Sequence, residues 1–166
     1  MGCDIHIVLE RKNPSGGWVG WQQMGYLSLP ALRFSYRDYE AKHERPAYVG
    51  YTIESRNYGF FNALCGVRGD GSEFGYEERG LPLDASSLAD MLLVDADLHS
   101  HSWLSIRELI PVLAAHWGPK DKKPEEYVFE RMADQNGNVY LAHDMLDENI
   151  DADNVDDWRI VFAFDN

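Results

Sequence analysis

Cys3-Asp4-Ile5-His6-Ile7-Val8-Leu9-Glu10 opens the chain with apolar residues at every second position: Cys3, Ile5, Ile7 and Leu9. Side chains two apart share one face of an extended chain, so this spacing predicts a half-buried strand. Asp4 and His6 then fall on the face opposite Ile5 and Ile7. Asn13-Pro14-Ser15-Gly16-Gly17 is turn chemistry, and Trp18 to Met24 reads as the returning strand of a β-hairpin. At the far end, Trp158, Ile160, Phe162 and Phe164 alternate with Arg159, Val161 and Ala163, a strand that would join the hairpin in one sheet. Strands at both ends with helical patterns between them predict an α+β fold. The sheet is expected to be mainly antiparallel, with the helices packed on one face. The expected organisation is a single domain over residues 1–166, long enough for a hydrophobic core.

Helical spacing is strongest in Leu104, Ile106, Leu109, Ile110 and Leu113, and Ser105 with Glu108 has the form of a capping box. That helix is expected to start between Ser102 and Ser105, to stop at Gly118-Pro119, and to be kinked or shortened by Pro111. Phe60, Phe61, Leu64 and Val67 predict a short buried helix ending at Gly66 or Gly69. Ser86 or Ser87 caps another that carries Leu88, Met91 and Leu92. Residues 125–132 fit either a short helix or a strand. Residues 25–55, where tyrosines alternate with basic residues, read as loop with short elements, a lid over a pocket.

Fifteen basic against 28 acidic residues give a net charge of −13. A surface so acidic repels duplex nucleic acid and anionic membrane, whose binding depends on neutralising phosphates. A small anionic ligand in a locally basic pocket and a protein partner remain open, as does a homo-oligomer. Cys3 and Cys65 read as reduced core residues. No leader precedes the first strand and no apolar run approaches spanning length, which points to the cytoplasm.

The chemistry-bearing residues concentrate in His99-Ser100-His101-Ser102-Trp103, just ahead of the predicted helix. A helix N-terminus attracts anions through its free N–H groups and dipole, so this stretch reads as a phosphate site with proton-transfer groups attached. Histidine suits general acid–base work because both its forms are populated near neutrality. His99 and His101 are the expected acid–base pair, with His6 oriented by Asp4. Arg56 would clamp phosphate, and Asn57, Tyr58, Ser100, Ser102 and Trp103 would line the substrate. The bland readings are equally concrete: Asn57 caps a helix, Tyr58 packs, and the two histidines hydrogen-bond within a loop. No cofactor is required, but Asp4, His6, His99 and His101 form D-x-H and H-x-H pairs that would ligate a divalent metal if their segments met. The acidic stretch 144–157 lacks the central glycine of a calcium loop and reads as a solvated face.

Five islands carry a resemblance: Met1 to His6, Arg56-Asn57-Tyr58, Arg79-Gly80-Leu81-Pro82, His99 to Leu104, and Arg159 to Asn166. Together they resemble a family of small tailed-phage and prophage proteins. The resemblance implies a phage-encoded protein in the host bacterial cytoplasm, and it adds weight to a nucleotide ligand, such as a cyclic-dinucleotide immune signal. The expected function is a small phosphodiesterase-type hydrolase acting on a soluble nucleotide. The alternatives are a nucleotide-sequestering protein that leaves its ligand intact, and an acidic inhibitor that binds a host protein.

Overall fold

The structure, a computed structural model, describes residues 2–25, 48–49, 57–71, 73–133, 135–137, 139–141, 146 and 149–165. Strands β1 (Asp4–Lys12) and β2 (Trp18–Gly25) form the hairpin, in register from Lys12 opposite Trp18 to His6 opposite Gly25, with one irregularity at Leu9/Glu10. Its turn closes through Asn13 N–H to Gly17 O and Gly16 N–H to Asn13 O, both 2.9 Å. Gly16 and Gly17 hold φ of 100° and 77°, a backbone that side chains with a Cβ resist.

The remaining strands of this sheet are β3 (Tyr48–Val49), β4 (His99–Ser105) and, after the short β5 (Arg131–Ala133) and β6 (Val139–Leu141), β7 (Trp158–Asp165). The order is β3-β2-β1-β7-β4, antiparallel except for β3, which runs parallel to β2; β5 and β6 form a separate antiparallel pair. The two ends of the chain therefore lie side by side, Asp4 opposite Asp165 and Arg11 opposite Trp158. This is the expected α+β fold, with the opening hairpin and the closing strand in one sheet.

Three of the four helices among the described residues follow the capping chemistry of the sequence. In α1 (Tyr58–Cys65) the Asn57 side chain accepts from Phe60 N–H, and Gly66 ends the helix at φ 80°. Ser86 caps α2 (Ser87–Leu93). Ser105 caps α3 (Ile106–Trp117) in a complete capping box with Glu108. The segment left open between helix and strand contains both, α4 (Pro124–Val128) and then β5. α3 is not shortened by Pro111 and continues as helix through it, with Leu109, Ile110, Val112 and Leu113 in the core.

On one face of the sheet Ile5, Ile7, Leu9, Ile160, Phe162 and Phe164 pack with Phe60, Phe61 and Leu64 of α1 and Ile106, Leu109 and Leu113 of α3. Each such large apolar side chain contributes about 1.5–3 kcal/mol by leaving water. The helices do not keep to that face. Leu88, Ala89 and Leu93 of α2 cover Val8, Val161 and Ala163 on the other side. This is why β1 and β7 are buried on both faces rather than half-buried: every residue from Ile5 to Glu10 and from Trp158 to Phe164 is inside. No helix among the described residues is long and apolar enough to cross a membrane.

Candidate functional site

The start of β1, the end of β7 and the start of β4 meet at one end of the sheet. His99 stands opposite Phe164, which stands opposite Ile5, so β7 lies between the two histidine-bearing segments. The segments thus converge on one region without touching through their backbones.

The geometry inside that region departs from the expected H-x-H pair. From His99 to Ser102 is three steps along β4, but the matching run on β7, Phe164 to Phe162, is two. The extra residue is a β-bulge, and Ser100 within it holds φ 50°. One inserted residue reverses the alternation, so His99 and His101 project to opposite faces. On the α1/α3 face the His99 ring lies along Phe164, with centroids 6.3 Å apart and planes 29° apart. Its Nδ1 is 3.1 Å from Ser100 Oγ, and its Nε2 is buried without a hydrogen-bond partner. On the α2 face His101 donates from Nε2 to Leu93 O at 2.7 Å. Acting as an acid–base pair at one shared point is therefore closed to His99 and His101.

His6 is 6 % exposed and belongs to the α2 face, opposite Ala163. Its Nε2 is 3.1 Å from Asp165 Oδ2, while Asp165 Oδ1 accepts the backbone N–H of Asp4 at 3.0 Å. A carboxylate only accepts, so Nε2 carries a proton, and in the neutral ring Nδ1 presents a lone pair. That Nδ1 is buried and has no hydrogen-bond partner. The carboxylate on the His6 ring is Asp165, where Asp4 was expected. The register explains it, since Asp165 faces Asp4 across the ladder and leans two residues along, on the same face, to His6. Residues 100 and 101 of the bulge lie opposite Ala163, so the small Ala163 separates His6 from His101 on this face. Strand spacing of ~4.8 Å sets those two backbones about 10 Å apart.

The expected phosphate site at the start of α3 is filled from within. Glu108 Oε2 accepts from Ser105 N–H and Oγ at 2.9 Å each. Arg79 grips the same carboxylate through Nη2 at 2.7 Å and Nη1 at 3.1 Å. That Arg79 contact, against the cost of burial, holds the Glu108 carboxyl below its usual range. The histidines are not at this terminus, because the whole of β4 up to Ser105 is strand.

Several residues assigned to substrate are structural. Asn57 caps α1 through Phe60 N–H at 3.0 Å. Ser102 is fully buried, donating to Glu77 O at 3.3 Å and accepting from Arg79 N–H at 3.1 Å. Trp103 is packed with Arg79 and Arg159, whose Cζ atoms lie 4.9 and 5.7 Å from its ring. Tyr58 is 38 % exposed and meets Phe61 edge-on at 5.9 Å. Arg56 and nearly all of the 25–55 lid lie outside the described residues. Among the described residues no group of three or more histidines, cysteines or carboxylates could hold a metal ion. The conditional set Asp4, His6, His99 and His101 is accordingly not assembled.

Two clusters escape a linear reading. Arg159, 4 % exposed, bonds through Nε to Glu10 Oε2 at 2.6 Å and through Nη1 to Asp84 Oδ1 at 2.9 Å, and Glu10 Oε1 takes the Ser86 N–H at 2.6 Å. Its guanidinium lies 4.0 Å from the Trp18 ring. The available signal was a charge at an inward position of each terminal strand, Glu10 opposite Arg159. The second cluster is the cover of the β4 edge: Gly80 N–H donates to His101 O at 2.8 Å and Arg79 Nη1 to Trp103 O at 3.1 Å. A cavity of about 440 Å³ beside it is lined by Cys65, Gly66, Gly71, Gly75, Tyr76, Glu77 and Glu78. Burial, with Glu78 adding to it, pushes the Cys65 thiol up to about 11, so it stays a neutral, unreactive thiol. Two carboxylates in the wall disfavour an anion there. Comparison with protein-family models, with curated proteins and with solved structures finds no match for this chain.

Proposed function

We propose that the chain is a small phosphodiesterase-type hydrolase of a soluble nucleotide, with His6 as its general base and Asp165 as the carboxylate that orients it. The observation that supports this reading is the setting of His6: Nε2 3.1 Å from Asp165 Oδ2, and a buried Nδ1 with no hydrogen-bond partner, which in the neutral ring is a lone pair. An unpaired buried acceptor costs roughly 1–3 kcal/mol, and such costs collect where a substrate group completes the bond. Nδ1 takes the proton from an attacking water, and Asp165 balances the imidazolium that forms. His101, on the same face beyond Ala163, keeps its Nε2–H on the Leu93 carbonyl, so the proton it returns to the leaving oxygen is one carried on Nδ1.

The test is incubation with a panel of cyclic mono- and dinucleotides, with and without added divalent metal. Turnover should fall ~10²–10⁴-fold in His6→Gln. An intact panel throughout would end the proposal. The second reading is sequestration without cleavage, favoured by the fact that His99 and His101 already spend a ring nitrogen on Ser100 Oγ and Leu93 O. Intact nucleotide released by heating a preformed complex would select it.

A further inference from the structure

Gly20 on β2 stands opposite Glu10 on β1, and the first turn of α2 is seated on this one rung of the ladder. A methyl group at Gly20 would overlap Leu88 Cβ and lie 2.7 Å from Leu88 Cδ2. Cβ is fixed to the helix backbone, so any side chain at position 20 would lift α2 from the sheet. From the other side of the rung, Glu10 Oε1 accepts the Ser86 N–H at 2.6 Å, and Ser86 Oγ accepts the Ala89 N–H at 3.2 Å. The N-terminal end of α2 is thus set in height by a glycine and in position by a buried carboxylate. Its seven residues span about 10 Å, and the far end delivers the Leu93 carbonyl. A helix leaves its last carbonyls without an intrahelical donor; here His101 Nε2 supplies one at 2.7 Å. The backbone of His101 is tied separately, by Gly80 N–H to His101 O at 2.8 Å.

We propose that α2 positions the His101 ring, and that Gly20 and Ser86 are positioning residues acting through it. This rests on the hydrolase reading above for its catalytic meaning and extends it to what sets the acid. A carbonyl only accepts, so Nε2 carries a proton there and Nδ1 is left as the nitrogen that can exchange a proton with substrate. His6 hydrogen-bonds instead to Asp165, across the β1–β7 ladder. Displacing α2 should therefore disturb one imidazole and spare the other.

Proton–nitrogen correlation spectra of the imidazoles in the full chain test this. Wild type should show His101 protonated on Nε2, with that proton slow to exchange. In Gly20→Ala its exchange should quicken roughly tenfold, as one hydrogen bond is lost, while the His6 Nε2 proton keeps its wild-type rate. Ser86→Ala, which removes only the cap oxygen, should quicken the His101 proton about threefold. Asn57→Ala, which removes a cap from α1 on the opposite face of the sheet, should change neither ring. An unaltered His101 proton in folded Gly20→Ala overturns the assignment; where that variant does not fold, an unaltered proton in Ser86→Ala does. Equal quickening at His6 and His101 overturns it as well, as does a wild-type His101 with no proton on Nε2. Turnover of cyclic nucleotides, read in parallel, separates the two proposals. kcat should fall about tenfold in Gly20→Ala with KM unchanged. No turnover by wild type, with the His101 signature present, removes the hydrolase and leaves the seating of His101 by α2. A kcat in Gly20→Ala equal to wild type removes the positioning role and leaves the hydrolase.

Discussion

Replacing Arg159 by methionine should be among the most damaging single changes in this chain. Glu10 is 0 % exposed, and its carboxylate has two partners, Arg159 Nε and Ser86 N–H, each at 2.6 Å. Arg159→Met keeps most of the apolar stem but strands a buried anion, which costs about 3–5 kcal/mol. At roughly 2–4 °C per kcal/mol for a chain of this length, the mid-range loss of about 4 kcal/mol lowers Tm by ~8–16 °C. Removing both charges together in Glu10→Leu/Arg159→Met should cost only about 2 kcal/mol, mainly the orphaned Ser86 N–H. Urea denaturation at pH 7 followed by the fluorescence of the five tryptophans reads all variants. A loss below about 1 kcal/mol in Arg159→Met, or a double variant as costly as the two singles summed, would refute the reasoning. The damage should also reach the proposed site, because Ser86 caps α2 and α2 supplies the Leu93 carbonyl that fixes His101.

Asp165→Asn should retain the fold yet reduce turnover of a nucleotide substrate by at least tenfold, since the imidazolium loses its counter-charge; kcat against pH reads it. Glu108 titrates below its usual value in the folded state, chiefly through Arg79, so its stabilisation is complete above the unfolded carboxyl pKa near 4.5 and fades as pH falls through the lower folded value. The Tm deficit of Arg79→Ala, worth about 1 kcal/mol at pH 7 for a pair only about 30 % exposed, should therefore shrink at pH 3. Ser100→Gly relieves a positive φ but removes the hydroxyl 3.1 Å from His99 Nδ1, so thermal melts should show a net loss of about 1 kcal/mol rather than a gain. Asn57→Ala should cost about 1 kcal/mol and leave KM unaltered if its role is the cap alone.

Alternation in Cys3–Glu10 and Trp158–Phe164 was enough to read the sheet and its two end strands, because a two-residue period survives whatever lies on either side. That both faces are covered was hidden: Leu88, Ala89 and Leu93 sit far along the chain from Val8, and a polar outward face is hard to tell from one sealed by a distant helix. The capping pairs Asn57 and Ser105/Glu108 were local and therefore visible. The bulge was not. Nothing in His-Ser-His-Ser marks Ser100 as left-handed, and a single inserted residue turned a metal-like spacing into two unrelated environments. His6 was recognised as a residue with chemistry, but its partner is set by register across β1 and β7, which a reading of near neighbours assigns to Asp4.

The strap formed by Gly80 and Arg79 has a bearing on how copies of this chain meet. An outermost strand normally offers a row of open amides and carbonyls on which another chain can be templated. Here the outward carbonyls of His101 and Trp103 are already spent, one on a glycine amide and one on a guanidinium held by Glu108. Growth of the sheet past β4 would first have to peel this strap away and break the Arg79–Glu108 fork with it. Self-association or peptide capture by strand addition is thereby obstructed on that flank.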